Sequence, residues 1–143
     1  MKIVFDMDNT LTDEFGSSAR PGIERLLERL KKDGHTLILW TNSKRDRAKT
    51  ILLEHNLRKF FEAFIYREDY DPEEKGLKKD IRKRDGDFLI DDDPSEIDYI
   101  KTIGKRGYRI SPYRKGSNPS RDELDILYKE ITKSKSILKK LFG

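Results

Sequence analysis

Short apolar runs alternate along the chain with longer stretches in which apolar residues recur at helical spacing. "KIVF" (2–5) has the continuous apolar character of a buried strand. In "PGIERLLERLKKDG" (21–34), Ile23, Leu26, Leu27 and Leu30 fall at i, i+3, i+4 and i+7 on one helix face, with Pro21 suited to the first turn and Gly34 to the end. "HTLILW" (35–40) predicts a second strand. "SKRDRAKTILLEHN" (43–56) predicts a second helix: Ala48, Ile51, Leu52 and His55 share a face, and Ser43 with Asp46 has the spacing of a capping box. "EAFIY" (62–66) predicts a third strand, and "EEKGLKKDIRKR" (73–84) a short helix interrupted by Gly76. "DFLID" (87–91) predicts a fourth strand, "PSEIDYIKTIG" (94–104) a helix with Pro94 near its start, and "GYRI" (107–110) a fifth strand. After the loop "SPYRKGSNPS", Leu124, Leu127, Ile131 and Leu138 mark a last helix from about Arg121.

Regular alternation of strand and helix predicts an α/β fold: one Rossmann-like three-layer domain over residues 1–143, with a parallel five-stranded sheet and helices on both faces. Crossovers in such a sheet are right-handed, and ligands bind beyond the carboxyl ends of the strands. Residues that follow strands are therefore the ones to inspect.

Four polar features stand there. Asp6, Asp8 and Thr10 follow the first strand, and Thr41, Asn42 and Ser43 follow the second. Lys75, Lys78 and Lys79 precede the fourth, and Asp91, Asp92 and Asp93 close it. A buried carboxylate is costly without a partner. On a parallel sheet these groups converge at one edge, where a divalent cation would neutralise three carboxylates at once. An all-oxygen ligand set without His or Cys favours Mg²⁺. A lysine and a helix start bearing hydroxyls suit a phosphate. Metal, carboxylate and phosphate cradle together make a phosphoryl-transfer site. A lone DxD is a weak signal, since an Asp after a strand often only caps a turn. The ordered set of DxDxT, TN and DD, each closing an apolar run, is a strong one.

His35 precedes a strand and His55 ends a helix, so both read as structural. Trp40 and Phe15 read as packing residues, although Phe15 lies in the loop after the DxD and would border the site.

Composition narrows the class. The chain has no cysteine, which removes disulfides and thiolate metal sites. Its start is too short and too acidic for a signal peptide, and no apolar run approaches a membrane span. The expectation is a soluble cytoplasmic protein with no membrane partner, a monomer or weak oligomer. Charge is uneven: residues 1–100 carry 19 lysines and arginines against 23 acids, and residues 101–143 carry 12 against 4. A basic C-terminal third attracts anions such as nucleic acid or a phosphoprotein, or simply forms a solvated helix face.

The motifs resemble those of the haloacid dehalogenase superfamily. "FDMDNTLT" is similar to its first motif, "LILWTN" to its second and "FLIDDDPSEID" to its fourth, and the likeness covers almost the whole chain. "RPGIERLLERLKKDGHTLILWTNS" and "KKDIRKRDGDFLIDDDP" are similar in pattern to the small phosphatases that act on the C-terminal domain of RNA polymerase, in which a Lys-Asp-Leu precedes the fourth-motif strand. The resemblance implies that Asp6 attacks phosphorus to form an aspartyl-phosphate and that Asp8 serves as general acid and then base. It makes Thr41, Asn42 and Lys79 the phosphate ligands, with Lys75 or Lys78 as alternatives because the spacing to the DD pair is short for that subgroup. Mg²⁺ would be held by Asp6, the main-chain carbonyl of Asp8, and Asp92, with Asp91 the close alternative. The intervals after the first and second motifs leave no room for a cap domain, so the site should be open.

The expected function is a Mg-dependent phosphomonoester hydrolase whose phosphorylated substrate is a phosphoprotein or a nucleic-acid end. A small-molecule or nucleotide phosphatase is the alternative, and a non-catalytic phosphate-binding module the next. A signalling receiver domain uses similar groups in a different chain order. A nucleotide kinase would need a GKS/GKT loop, which the sequence lacks.

Overall fold

Each strand sends alternate side chains to opposite faces, and the chain places a separate apolar set on each. Ile3, Phe5, Leu37, Leu39, Phe88 and Ile90 enter one core, and Val4, Ile38, Trp40 and Leu89 enter the other. The computed structural model describes residues 1–142; Gly143, the last residue of the domain expected over 1–143, lies outside them. The elements run β1 (Lys2–Phe5), α1 (Ile23–Lys32), β2 (Thr36–Trp40), α2 (Arg45–Glu54), β3 (Ala63–Ile65), α3 (Arg67–Tyr70), β4 (Phe88–Asp91), α4 (Pro94–Thr102), β5 (Arg106–Arg109) and α5 (Asp122–Phe142). The five strands form one parallel sheet in the order β3-β2-β1-β4-β5. Helices α1, α2 and α5 cover one face through Leu27, Leu52, Leu127 and their neighbours. Ile97 and Ile100 of α4 cover the other, with Ile81 beside them.

The expected three-layer α/β fold is thus the observed one, with no cap domain among the described residues. Only the loop of residues 6–22 separates β1 from α1, and an Asp13 carboxylate folds that loop by accepting from the N–H groups of Phe15 and Ser17. Among the described residues, no helix is long and apolar enough to cross a membrane.

Two local expectations are corrected. The helix expected over 73–84 does not form; Ile81–Arg84 makes a single 3-10 turn, and the residues before it are irregular. The buried Asp71 carboxylate captures the N–H groups of Lys75, Gly76 and Leu77, donors that a helix would have used. Glu74 and Gly76 accordingly sit at positive φ. The Ser43–Asp46 capping box is also absent. The α2 cap position falls to Lys44, the Ser43 N–H donates to Thr41 Oγ1, and Glu68 of α3 accepts from the first helical N–H, that of Arg45. A short helix, α3, lies where no element was expected, because Asp69 folds back onto the Tyr66 N–H.

Candidate functional site

The carboxyl ends of β1, β2 and β4 lie side by side at the centre of the sheet, because β1 pairs with both others. The residues that follow them line a cleft of about 320 Å³. Asp6, Asp8, Asn9, Thr41, Asn42, Lys79, Asp91, Asp92 and Asp93 all border it.

Asp6 is buried at the end of β1. Its N–H bonds the Ile90 carbonyl, continuing the β1–β4 ladder by one residue. Its carboxylate accepts from Lys79 Nζ at 2.9 Å and from Thr10 Oγ1 at 3.1 Å. The next turn is closed by the Met7 carbonyl, which accepts from the N–H groups of Thr10 and Leu11, and Asn9 takes the left-handed conformation that asparagine tolerates. Lys79 Nζ also donates to Asp91 Oδ2 at 2.6 Å. The Lys79 N–H is held by Glu96 Oε1 from α4 at 3.1 Å.

Carboxylate oxygens of Asp6, Asp91 and Asp92 lie within 4.8 Å of one another. Burial pushes the Asp6 carboxyl well above its ordinary range; Lys79 opposes this, and Asp91 and Asp92 reinforce it. Burial likewise raises Asp92. Burial would lower the Lys79 ammonium, but Asp6 and Asp91 raise it above its usual value. Fully ionised, Asp6, Asp91 and Asp92 would outweigh the single Lys79 ammonium by two charges, and this deficit adds to burial in raising Asp6 and Asp92. A dication fits that deficit, and the all-oxygen donor set fits a hard one.

Of the three candidate lysines, the structure brings Lys79 alone into the cluster. Lys78 Nζ donates to Ser95 Oγ at the cleft's edge, and Lys75 pairs with Glu73 on the surface. Asp93 turns away to cap α4 by accepting from the Ser95 N–H. Thr41 is buried and Asn42 exposed, with Asn42 Oδ1 accepting from Arg67 Nε at 3.3 Å. The Asp8 carboxylate is not in the acidic cluster; it faces α2, where Arg47 holds it.

Several contributors went unread in the sequence. Arg47 of α2 lies four residues after Ser43, a spacing that would have pointed it at the same cleft. Glu96 lies one turn after Asp92 in the same way. Arg20 is buried and gathers the Thr10, Asn9 and Ser111 carbonyls, tying the first loop to the segment after β5. Asp71 carried no signal at all. The histidines are structural: His55 Nε2 contacts the Gly16 carbonyl at 2.7 Å, and His35 the N-terminal amine at 3.1 Å. Trp40 packs edge-on to Tyr70. Phe15, expected to pack, is instead 68% exposed.

A family model described as NLI interacting factor-like phosphatase matches residues 1–141. No curated protein matches the chain. Among solved structures, the fold is similar to that of a HAD-superfamily hydrolase from Ehrlichia chaffeensis, at 15% identity and a TM-score of 0.65 over 90% of this chain and 96% of that one. It is also similar to a hydrolase from Streptococcus pneumoniae TIGR4, at 12% identity and a TM-score of 0.64 over 88% and 97%. An uncharacterized protein from Listeria monocytogenes serotype 4b aligns at 11% identity with a TM-score of 0.70 over 94% and 98%. At these identities the structural likeness speaks to the fold.

Proposed function

The chain belongs to the NLI interacting factor-like phosphatases, and from that membership we propose that it hydrolyses phosphomonoesters through an aspartyl-phosphate on Asp6, with Mg²⁺ as its metal. One observation supports the assignment above the rest: Asp6 is buried between Lys79 and Thr10, with Asp91 and Asp92 close by. A carboxylate that is costly to bury and is flanked by cationic and hydroxyl donors has the character of a nucleophile held in place.

In the first step an Asp6 oxygen forms a bond to phosphorus as the ester P–O bond breaks, and Asp8 gives its proton to the departing oxygen. In the second, water attacks the same phosphorus, its proton passes to Asp8, and the acyl-phosphate P–O bond breaks to restore the Asp6 carboxylate. Thr41, Asn42 and Lys79 bind the phosphoryl oxygens and offset the charge that grows on them. Asp6, Asp91, Asp92 and the main-chain carbonyl of Asp8 would hold the Mg²⁺. When bound, it screens the carboxylates from the incoming phosphate and polarises a phosphoryl oxygen. A cysteine-free chain also fits a reducing cytoplasm.

The test is to trap the intermediate. Turnover of an aryl phosphate with Mg²⁺ is quenched in acid, and the acyl phosphate is reduced with borohydride and located by mass spectrometry. Homoserine at position 6 is expected. Sustained turnover with no label at position 6 overturns the covalent reading.

A further inference from the structure

One aromatic ring stands in water on the loop that follows Asp8, and the backbone around it is tightly held. Phe15 is 68% exposed. Its N–H and that of Ser17 donate to the buried Asp13 carboxylate, each at 2.9 Å. Gly16 lies so close to α2 that a Cβ there would stand 2.4 Å from Ile51 Cδ1. His55 holds the Gly16 carbonyl. The ring is therefore displayed by a docked tip rather than left out by a slack one.

The tip adjoins the catalytic groups. Arg47 bridges Asp8 and the Glu14 carbonyl, next to Phe15. On the far side lies the segment after β5. The Tyr113 N–H donates to the Asn9 carbonyl at 2.8 Å, and the Lys115 N–H to Glu14 Oε1 at 2.7 Å. These bonds carry two cations to the rim. Lys115 Nζ stands 6.0 Å from the Phe15 ring centre, and Arg114, 59% exposed, approaches Glu14 at 3.6 Å. Glu14 is the one acid among them; its carboxylate pairs with Arg114 and takes only the main-chain N–H of Lys115, whose ammonium lies over the Phe15 ring.

We propose that Phe15 and the Arg114–Lys115 pair form a subsite for the terminal nucleotides of a single-stranded nucleic acid whose end phosphate enters the cleft. The inference rests on the phosphomonoesterase reading above and names its substrate class. A flat aromatic face open to solvent stacks on any base, because every base has a π-face, and neighbouring cations take the next backbone phosphates. The basic final third, with 12 lysines and arginines against 4 acids over residues 101–143, extends the same attraction. A phosphopeptide has neither a repeating charge nor an obligatory ring beside its phosphate, so it gains less from this rim.

The experiment compares kcat/KM for a phosphate-terminated single-stranded oligonucleotide, a phosphoserine peptide and an aryl phosphate, in the wild type and in Phe15→Ala and Arg114→Ala. The oligonucleotide is expected to lead. Phe15→Ala should lower its kcat/KM about tenfold, the loss of one base stack, and leave the aryl phosphate unchanged. Arg114→Ala should flatten the dependence of oligonucleotide kcat/KM on log salt by about 0.7, one phosphate contact on a single strand. A leading phosphopeptide, or an equal loss on all three substrates in Phe15→Ala, overturns the subsite. Anisotropy of a labelled, phosphate-free oligonucleotide separates the two claims: binding that weakens in Phe15→Ala supports the subsite even if the aryl phosphate is not hydrolysed, an outcome that would overturn only the hydrolase reading.

Discussion

Arg47 grips Asp8 with both terminal nitrogens, Nη1 at 3.0 Å from Oδ2 and Nη2 at 2.9 Å from Oδ1. The same guanidinium donates to Ser43 Oγ and to the Glu14 carbonyl. One side chain thus fixes the proposed acid–base group against the start of α2 and against the loop after β1. The bidentate fork sets the angle of the carboxylate as well as its distance.

Arg47→Ala should lower kcat on an aryl phosphate by about tenfold or more, since small misplacements of a reacting group are that costly. Stability should change by less than about 1 kcal/mol, the usual worth of a pair this exposed. Arg47→Lys keeps the charge without the fork and should recover only part of the rate. The checks are steady-state kinetics and urea denaturation. An unchanged kcat in Arg47→Ala would remove Arg47 from the account of Asp8.

Lys79 is the opposite case, a cation almost out of water between two carboxylates. Lys79→Met keeps the length and removes the charge. It leaves Asp6 and Asp91 buried without their partner, a situation that costs about 3–5 kcal/mol. Saturating Mg²⁺ should restore a good part of that stability through linkage, because the dication takes over the neutralisation. Activity should stay low, since the phosphate has lost its ligand. Urea midpoints with Mg²⁺ and with EDTA measure both effects. A mutant as stable as the wild type in EDTA would contradict the ion-pair geometry.

The pH dependence follows from carboxylates shifted in opposite directions. Burial raises Asp6 and Asp92 above their ordinary 3.8. A raised carboxyl stabilises fully below its ordinary value, and the contribution is lost as pH rises through the folded value. Burial works against Asp13 and Asp71 too, but hydrogen bonds from Ser17 and Phe15, and from the Lys75, Leu77 and Gly76 N–H groups, outweigh it and lower both. Their contribution is full above 3.8 and lost as pH falls through the folded value. The metal-free protein should therefore lose stability on both sides of the weakly acidic range. Mg²⁺ should raise Tm more at about pH 7.5 than at about pH 5, because raised carboxyls give up their protons as pH rises and the ionised cluster binds the dication. An equal rise at both values would mean that the carboxylates near Asp6 are not the binding groups.

How much of this was legible in the sequence depended on how local each cause was. The strands announced themselves because Ile3, Val4 and Phe5, or Leu37, Ile38 and Leu39, are apolar on both faces, as a strand covered on both sides must be. Asp6, Thr41 and Asp91 could be read because each directly ends such a run. Asp71 could not, since its meaning lies in backbone N–H groups of a loop, and the spacing of Arg47 from Ser43 points to the cleft but not to its partner Asp8, 39 residues away. The same distant chemistry misled the reading of 73–84: its composition suits a helix, and one carboxylate outside the segment overrides it. At the start of α2 the cap came from Glu68, and no inspection of Ser43 and Asp46 would have found it.

Gly16 allows two costs to be separated. Its φ is +69°, and a Cβ there would stand 2.4 Å and 2.6 Å from Ile51 Cδ1 and Cγ1. Gly116 has a similar φ, +78°, with nothing within 4 Å of its Cβ position. Gly116→Ala therefore meets only the backbone penalty of a left-handed L-residue, about 1–2 kcal/mol. Gly16→Ala meets that and a steric clash besides, worth about 1–3 kcal/mol more in a packed site. Shortening the neighbour should give back the second cost and not the first. In an Ile51→Ala background, then, Gly16→Ala should destabilise by about as much as Gly116→Ala does in the wild type. Urea denaturation of the four proteins in the cycle, with Gly116→Ala as reference, measures this. Equal costs for the two glycines in the wild type would show that the loop does not press on α2, and would leave the Phe15 ring without the rigid support on which its exposure depends.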